Sequence, residues 1–440
     1  MAQRRASSDV DTRDLVNEVA RHARPLRTRD DLEPLMERIG EARVVMLGEA
    51  THGTSEYYTW RTRISQRLIE EKGFSFIAVE GDWPDCYRVN RYVKGYRESG
   101  ASAREVLHAF ARWPTWMWAN WEVVALAEWL RGHNDGRPDE RRVGFYGLDV
   151  YSLWESLAAV MEYLTETDPD ALPAAHRAYA CFEPFGEDVQ AYARSTAFVP
   201  SSCEDEVVEL LGEIRGRSEP SGDDGESRFS AEQNARAAVG AERYYRAMVR
   251  GGSESWNVRD RHMMGTLDDL LGFHGTGGKA IVWEHNTHIG DARATDMAAA
   301  GMVNTGQLAR EGYGDDDAVL VGFGSHRGSV IAAREWGAPL ERMRVPAARA
   351  GSWESVFREA RGADALLLTE DLSEAARARR GHRAIGVVYD PREERYGNYV
   401  STDLPRRYDA FIHLDETEAL HPLHVEPREE DPPASYPWGV

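Results

Sequence analysis

Seven short apolar runs along the chain each stop at an acidic or histidine residue. Residues 44–47 precede Glu49 and His52, 76–79 precede Glu80 and Asp82, and 143–146 precede Asp149. Further on, 280–283 precede Glu284, His285 and His288, 366–368 precede Glu370 and Asp371, 385–389 precede Asp390, and 411–413 precede Asp415. Runs without polar alternation, bounded by stretches of helical spacing, predict strands buried on both faces of a mostly parallel sheet. Ligands of such sheets bind beyond the carboxyl ends of the strands. The pattern therefore predicts one rim that gathers several carboxylates and imidazoles.

Between the runs the spacing is helical. Leu15, Val19, Leu26, Leu32 and Leu35 recur among charges over residues 13–40, ending at Gly40. Tyr57, Trp60, Ile64, Leu68 and Ile69 do the same over 57–71, stopped by Gly73. Residues 83–132 are helical in outline, with breaks at Pro84 and Pro114. From about residue 154 to 271 the pattern predicts helices and no strand, with a polar Pro/Gly loop over 217–227. The expected fold class is α/β, a mostly parallel central sheet flanked by helices, with a helical insertion covering a cleft at the strand carboxyl ends. Its expected parts are residues 13–150 and 276–423 as two halves of the core, 151–275 as the insertion, and 424–440 as an extended tail.

Composition narrows the function classes. A 440-residue chain that is 42% hydrophobic with 13 tryptophans folds rather than staying disordered. A net charge of −21 argues against nucleic-acid or anionic-membrane partners. No apolar run approaches the roughly 18 residues that span a bilayer, and the amino terminus lacks the apolar stretch of a signal peptide. Cys86, Cys181 and Cys203 are odd in number and widely spaced. That spacing predicts a reducing compartment without a disulfide framework. A cytoplasmic protein is expected.

The chemistry concentrates at the run ends. Gly48-Glu49-Ala50-Thr51-His52-Gly53 puts an imidazole three residues after a carboxylate, between glycines that admit a close ligand. Imidazole titrates near neutrality and is the natural general base there; the competing reading has Glu49 and His52 capping the next helix. Glu284-His285-Asn286-Thr287-His288 places two histidines where they can bind a metal, polarise a carbonyl or stabilise an oxyanion. Glu80 needs a partner if buried, and Arg259 can clamp an oxygen bidentately or form an ordinary pair with an aspartate. Four tryptophans within residues 113–121, Trp116 and Trp118 among them, suit either an aromatic wall or core packing. Glu56 and Tyr396 complete the candidate substrate contacts, the latter in a loop near the rim or a plain turn. There is no GxSxG elbow, no P-loop and no HExxH.

These motifs, in this order, resemble the erythromycin esterase family. The similarity is carried by residues 48–56, 76–82, 256–263, 282–291 (VWEHNTHIGD), and 386–390 with 408–416, and extends from about residue 30 to 422. The Trp-rich segment and the VWEHNTHIGDARATDM stretch are closest to a broad branch of the family, associated by name with succinoglycan biosynthesis. The resemblance implies an α/β core with helices over a deep cleft, and hydrolysis of a macrolide lactone, a route to antibiotic resistance, with no obligatory cofactor. It also implies that His52 activates water while Glu49 and Glu80 orient it and balance charge. His285, His288 and Arg259 would then line the pocket and stabilise the oxyanion. The expected partner is a bulky, partly apolar small molecule. Two alternatives stand beside this reading. Glu49, His52, Glu80, His285 and His288 are also a sufficient ligand set for zinc, manganese or iron, and the aromatic segment with paired histidines suits a non-catalytic binder of an apolar molecule or haem.

Overall fold

The computed structural model describes residues 2–97, 99–185, 189–196, 202–216 and 225–424. Its strands are β1 (Arg24–Pro25), β2 (Val44–Leu47), β3 (Phe76–Asp82), β4 (Gly144–Asp149), β5 (Ala280–Trp283) and β6 (Ala318–Ala332). They continue with β7 (Glu341–Val345), β8 (Ala365–Leu368), β9 (Arg380–Arg383), β10 (Tyr399–Thr402) and β11 (Ala410–Thr417). Among the described residues nine of these form one sheet in the order β1-β8-β11-β6-β2-β5-β3-β4, with β7 paired to the far end of β6. Every neighbouring pair from β11 across to β4 is parallel. The fold class is α/β with a mostly parallel sheet flanked by helices, as the run pattern predicted.

Period-two alternation with both faces apolar explains why the central strands read so clearly. Val45, Leu47, Ile77, Val79, Ile281 and Trp283 pack on one face with helices Ser55–Lys72, Trp83–Lys94 and Trp121–Asn134. Val44, Met46, Phe76, Ala78, Ala280 and Val282 pack on the other with Glu254–Phe273 and Trp353–Ala360. Pro84 starts the helix Trp83–Lys94 instead of breaking one, because its missing N–H falls in the unpaired first turn. Between β4 and β5 the described residues are helical, with their own core around Leu157, Phe182, Leu210 and Ala238.

Three expectations need correction. Residues 385–389 are not a sheet strand: they touch the fold through single bridges, Thr51 to Ile385 and Ala333 to Val388. The run at β8 is a strand, but antiparallel to β11, so Glu370 and Asp371 leave from the opposite edge and face Arg38 and Arg24. Cys181 and Cys203 form a disulfide, because the helices Leu172–Phe182 and Glu204–Gly216 bring residues 22 apart together. That removes the cysteine argument for a reducing compartment. No helix among the described residues is long and apolar enough to cross a membrane. The expected tail beyond residue 424 and most of the 217–227 loop lie outside the described residues.

The β2 end is closely embraced. The Gly53 carbonyl accepts from Ile331 N–H at 2.9 Å and Leu420 N–H at 3.0 Å. A Cβ at Gly53 would lie 1.9 Å from the Ile331 carbonyl oxygen. Gly53→Ala is therefore expected to destabilise the fold by about 2–4 kcal/mol, the range of overpacked and strained sites. A thermal melt within a degree of wild type would refute this reading of the loop.

Candidate active site

Four strand ends, those of β2, β3, β4 and β5, converge. His52 follows β2 in a five-residue turn (Gly48–His52) whose backbone is held from both sides: Asn286 N–H donates to the Glu49 carbonyl at 2.9 Å and Ile385 N–H to the Ala50 carbonyl at 2.8 Å. The capping alternative fails here, since Thr54 is the N-cap of the next helix and neither Glu49 nor His52 caps it. Instead His52 Nδ1 lies 2.9 Å from Glu49 Oε1. A carboxylate accepts only, so Nδ1 carries the proton and Nε2 presents its lone pair. Glu49 is anchored in turn by Arg61 Nη2 at 2.6 Å.

Glu80 reaches the centre because β3 bulges. Its pairing with β4 runs in register from Phe76–Gly144 to Val79–Gly147 and then shifts, so that Asp82 meets Asp149. Bulges of this kind re-aim a side chain beside sites. Glu80 Oε1 accepts from Arg259 Nη2 at 2.7 Å, Oε2 accepts from His285 N–H at 2.8 Å, and His52 Nε2 lies 4.0 Å from Oε1. Burial alone would raise the Glu80 pKa, but the neighbouring His288, Arg259 and His52 and the His285 N–H outweigh it and hold the carboxyl well below the usual range. Arg259 also grips Asp149, with Nε to Oδ1 at 2.9 Å and Nη2 to Oδ2 at 2.7 Å.

The two histidines after β5 differ. His285 Nδ1 accepts from the Thr287 N–H, and its ring centroid is 4.8 Å from that of His52. Burial, then the nearby His52, push its pKa well down. A neutral ring that accepts at Nδ1 carries its proton on Nε2, a buried atom without a protein partner. His288 sits behind: it stacks on Trp256, pairs Nδ1 with Asp260 at 2.9 Å, and has Nε2 3.0 Å from Arg259 Nη1. Glu284 is buried, and burial together with the charges of Glu80 and Asp260 raises its pKa well above the usual carboxylate range.

A cavity of about 530 Å³ opens on this cluster. His52, Glu80, Asp149 and Arg259 line its polar part; Phe110, Trp113, Met117, Trp118 and Trp336 line an apolar part, and Tyr244, Tyr245 and Met248 of helix Glu226–Arg250 close one side. The helical stretch thus covers the strand carboxyl ends, as expected. Of the predicted contacts, Trp118 lines the cavity and donates Nε1–H to the Glu80 carbonyl at 3.1 Å. Trp116 is buried beneath and does not line it. Glu56 is placed apart, bordering a separate cavity with Trp60 and Arg63, and Tyr396 is 69% exposed on a short helix away from the cluster. Sequence reasoning missed Arg61, Arg112 and Trp336. Arg61 was findable: it sits on the apolar stripe of its helix, where an arginine needs an acid. Its guanidinium lies over Tyr58 and Trp283, 4.4 and 4.6 Å from the ring centroids.

Fold and site together define an α/β protein with a histidine–carboxylate–arginine cluster at the strand carboxyl ends. The chain belongs to the erythromycin esterase family, whose sequence profile matches residues 69–417. Glu80, Arg259, His285 and His288 fall within the matched residues; Glu49 and His52 precede them. Over 147 residues (32% of this chain, 33% of the relative) it is 26% identical to the erythromycin esterase type II of Escherichia coli. Over 158 residues (34% of this chain, 33% of the relative) it is 35% identical to the putative hydrolase YbfO of Bacillus subtilis (strain 168). These matches span about a third of the curated relatives' length. Among solved structures, a succinoglycan biosynthesis protein superposes with a TM-score of 0.76 at 23% identity, covering 93% of this chain and 98% of that one. A Bacillus cereus protein gives 0.74 at 19%, covering 94% and 99%. An erythromycin esterase variant, EreC, in its open conformation gives 0.66 at 18%, covering 90% and 98%.

The ionised Glu80 stabilises the fold fully above the ordinary carboxylate pKa of about 4.3, and that contribution is lost as pH falls towards its depressed folded value. Glu80→Gln removes one of the two carboxylates that hold Arg259, leaving it paired with Asp149, and should cost about 1–3 kcal/mol at pH 7. Thermal melts from pH 7 down to pH 3 should show the gap between wild type and variant narrowing on the acid side. A constant gap would mean that the Glu80 charge contributes nothing.

Proposed function

We propose that the protein is a hydrolase that cleaves a carboxylic ester or macrolactone with a water activated by His52. The observation that carries this reading is the commitment of His52 Nδ1–H to Glu49, which leaves Nε2 basic at the wall of the cavity. A water that donates one proton to Nε2 would have Glu80 Oε1, 4.0 Å from that nitrogen, to orient the other. Attack on the carbonyl carbon moves the first proton to Nε2 and builds a tetrahedral oxyanion. Arg259, on the cavity wall, and the Nε2–H of His285 beside His52 are the donors that would stabilise it. Collapse returns the proton from His52 to the leaving alkoxide, so the base becomes the acid. The names of the Escherichia coli and Bacillus subtilis relatives support the reaction class, and the cavity size supports a bulky, partly apolar substrate.

The same side chains are a poorer metal site than their residue types suggest. Glu80 and Glu49 each already hold an arginine within 2.7 Å, and Arg259 Nη1 lies against His288, so a cation placed here would meet two guanidinium charges. The proposal is therefore metal-independent hydrolysis, and activity should survive a chelator.

The test is a panel of esters and lactones with products read by mass. One compound class should gain a single water, and His52→Ala should lose about 10²–10⁴-fold in kcat/KM. Glu49→Gln should lose activity mainly in kcat, because the histidine tautomer is no longer held. Turnover undiminished in His52→Ala would sink the mechanism.

A further inference from the structure

The cavity has two ends of opposite character, and the apolar end contains an arrangement the chemistry above does not use. Trp336 lies in the bend between β6 and β7 and is 66% exposed, unusual for so large an apolar ring. It is not adrift. Its ring centroid is 4.5 Å from that of Trp113, tilted by 55°. Trp113 in turn meets Trp116 edge-on at 5.5 Å, and Trp116 is 1% exposed. The Trp113 indole N–H donates to the Ala338 carbonyl at 3.0 Å, which stitches the bend to the 110–118 segment. Two tryptophans are thus held at a fixed angle on a buried base, with their outer surfaces on the same cavity as His52.

Resting on the hydrolase reading, we infer that Trp113 and Trp336 form a subsite for an apolar ring in the acyl or alcohol part of the ester, seated while its carbonyl meets His52. Several features select a substrate group over a protein partner as the occupant. The two rings are continuous with the cavity that ends at His52, Val387 borders the same wall, and Tyr244 and Met248 face the space from the helical insertion. Indole rings held in place give large contact area with little ordering cost, which suits recognition of flat or alicyclic faces.

Two measurements on the full chain decide this. The first compares kcat/KM for 2-naphthyl acetate with that for ethyl acetate. Trp336→Ala should lower this selectivity ratio about tenfold, chiefly through KM for the naphthyl ester, and Trp336→Phe should recover much of it. The second titrates 2-naphthol, which cannot be hydrolysed, and follows tryptophan fluorescence; Trp336→Ala and Trp113→Ala should each weaken binding about tenfold. If wild type turns over no member of the ester and lactone panel, the hydrolase reading has failed, and the naphthol titration still decides the subsite; if it turns over another class only, the selectivity ratio is read on a ring-bearing and a ring-free member of that class. An unchanged selectivity ratio or unchanged naphthol affinity in Trp336→Ala overturns the proposal. So does concentration-dependent self-association that Trp336→Ala abolishes while naphthol affinity stays the same.

Discussion

Arg259 is the residue on which the arrangement turns. β3 and β4 bring the carboxylates of Glu80 and Asp149 out of water at neighbouring positions, and two buried like charges repel strongly unless a cation lies between them. Arg259 is that cation, bound to both acids and stacked over Tyr151 at 5.0 Å from the ring centroid. It comes not from the sheet but from helix Glu254–Phe273, which ends the helical stretch between β4 and β5. The covering helices are therefore coupled electrostatically to the strands they cover. A second clamp of the same type, from Arg112 to Asp82 at 2.7 and 2.8 Å, ties the tryptophan-bearing 110–118 segment to the end of β3. Both walls of the cavity are registered to one strand end.

Behind the cluster a second network holds the loop that bears His285. Asn286 Nδ2 donates to the Phe323 carbonyl at 2.6 Å while its Oδ1 accepts from Phe323 N–H at 3.2 Å, so one side chain mimics a strand partner for β6. His382 Nε2 lies 3.2 Å from Asn286 Nδ2, and its Nδ1 is 2.6 Å from Glu354 Oε1. Burial works against the Glu354 charge, but His382 and Arg383 prevail and hold its pKa at about 2. Gly48 is required in front of this lock, since a Cβ there would lie 2.1 Å from Asn286 Oδ1. The imidazole of His285 owes its position to bonds made on the far side of its neighbour.

Legibility from sequence followed the range of the forces. β2 and β5 were read with the right ends because their signal is local: four apolar residues, buried on both faces, stopped by polar ones. β6 was not read through its length. Its middle carries Gly322 and Gly324 where added Cβ atoms would strike the rings of Tyr408 and Phe411 at 2.6 and 2.7 Å, and that glycine-rich stretch looks like a turn until its distant neighbours are known. At the site, Glu49, His52, Glu80 and His285 were nominated by strand ends and do meet in one place. Trp336 was invisible, because its value depends on a contact with Trp113 more than two hundred residues earlier in the chain. The disulfide was missed because the packing of two helices, not the 22-residue spacing, brings Cys181 and Cys203 together. The Glu80 bulge is a further case, arising from the pairing of two strands and not from either alone.

Charge balance around His52 gives the cluster its chemical direction. Glu49, Glu80 and Asp149 face Arg61 and Arg259, so three carboxylates oppose two guanidinium groups while His285 stays neutral. The proton that His52 takes comes from the attacking water, so its positive charge and the oxyanion's negative charge form in the same step, the first beside Glu80 and the second beside Arg259. Under the proposed chemistry the net charge of cluster, water and substrate is the same before and after attack, and only its distribution changes. No counter-ion need enter, and no buried group need be stranded on the way. Had His285 been held as a cation by an acid of its own, His52 would have met a positive neighbour 4.8 Å away at the moment it took up its proton. The burial that keeps His285 neutral therefore serves both histidines: it preserves a donor at one ring and leaves the other free to accept.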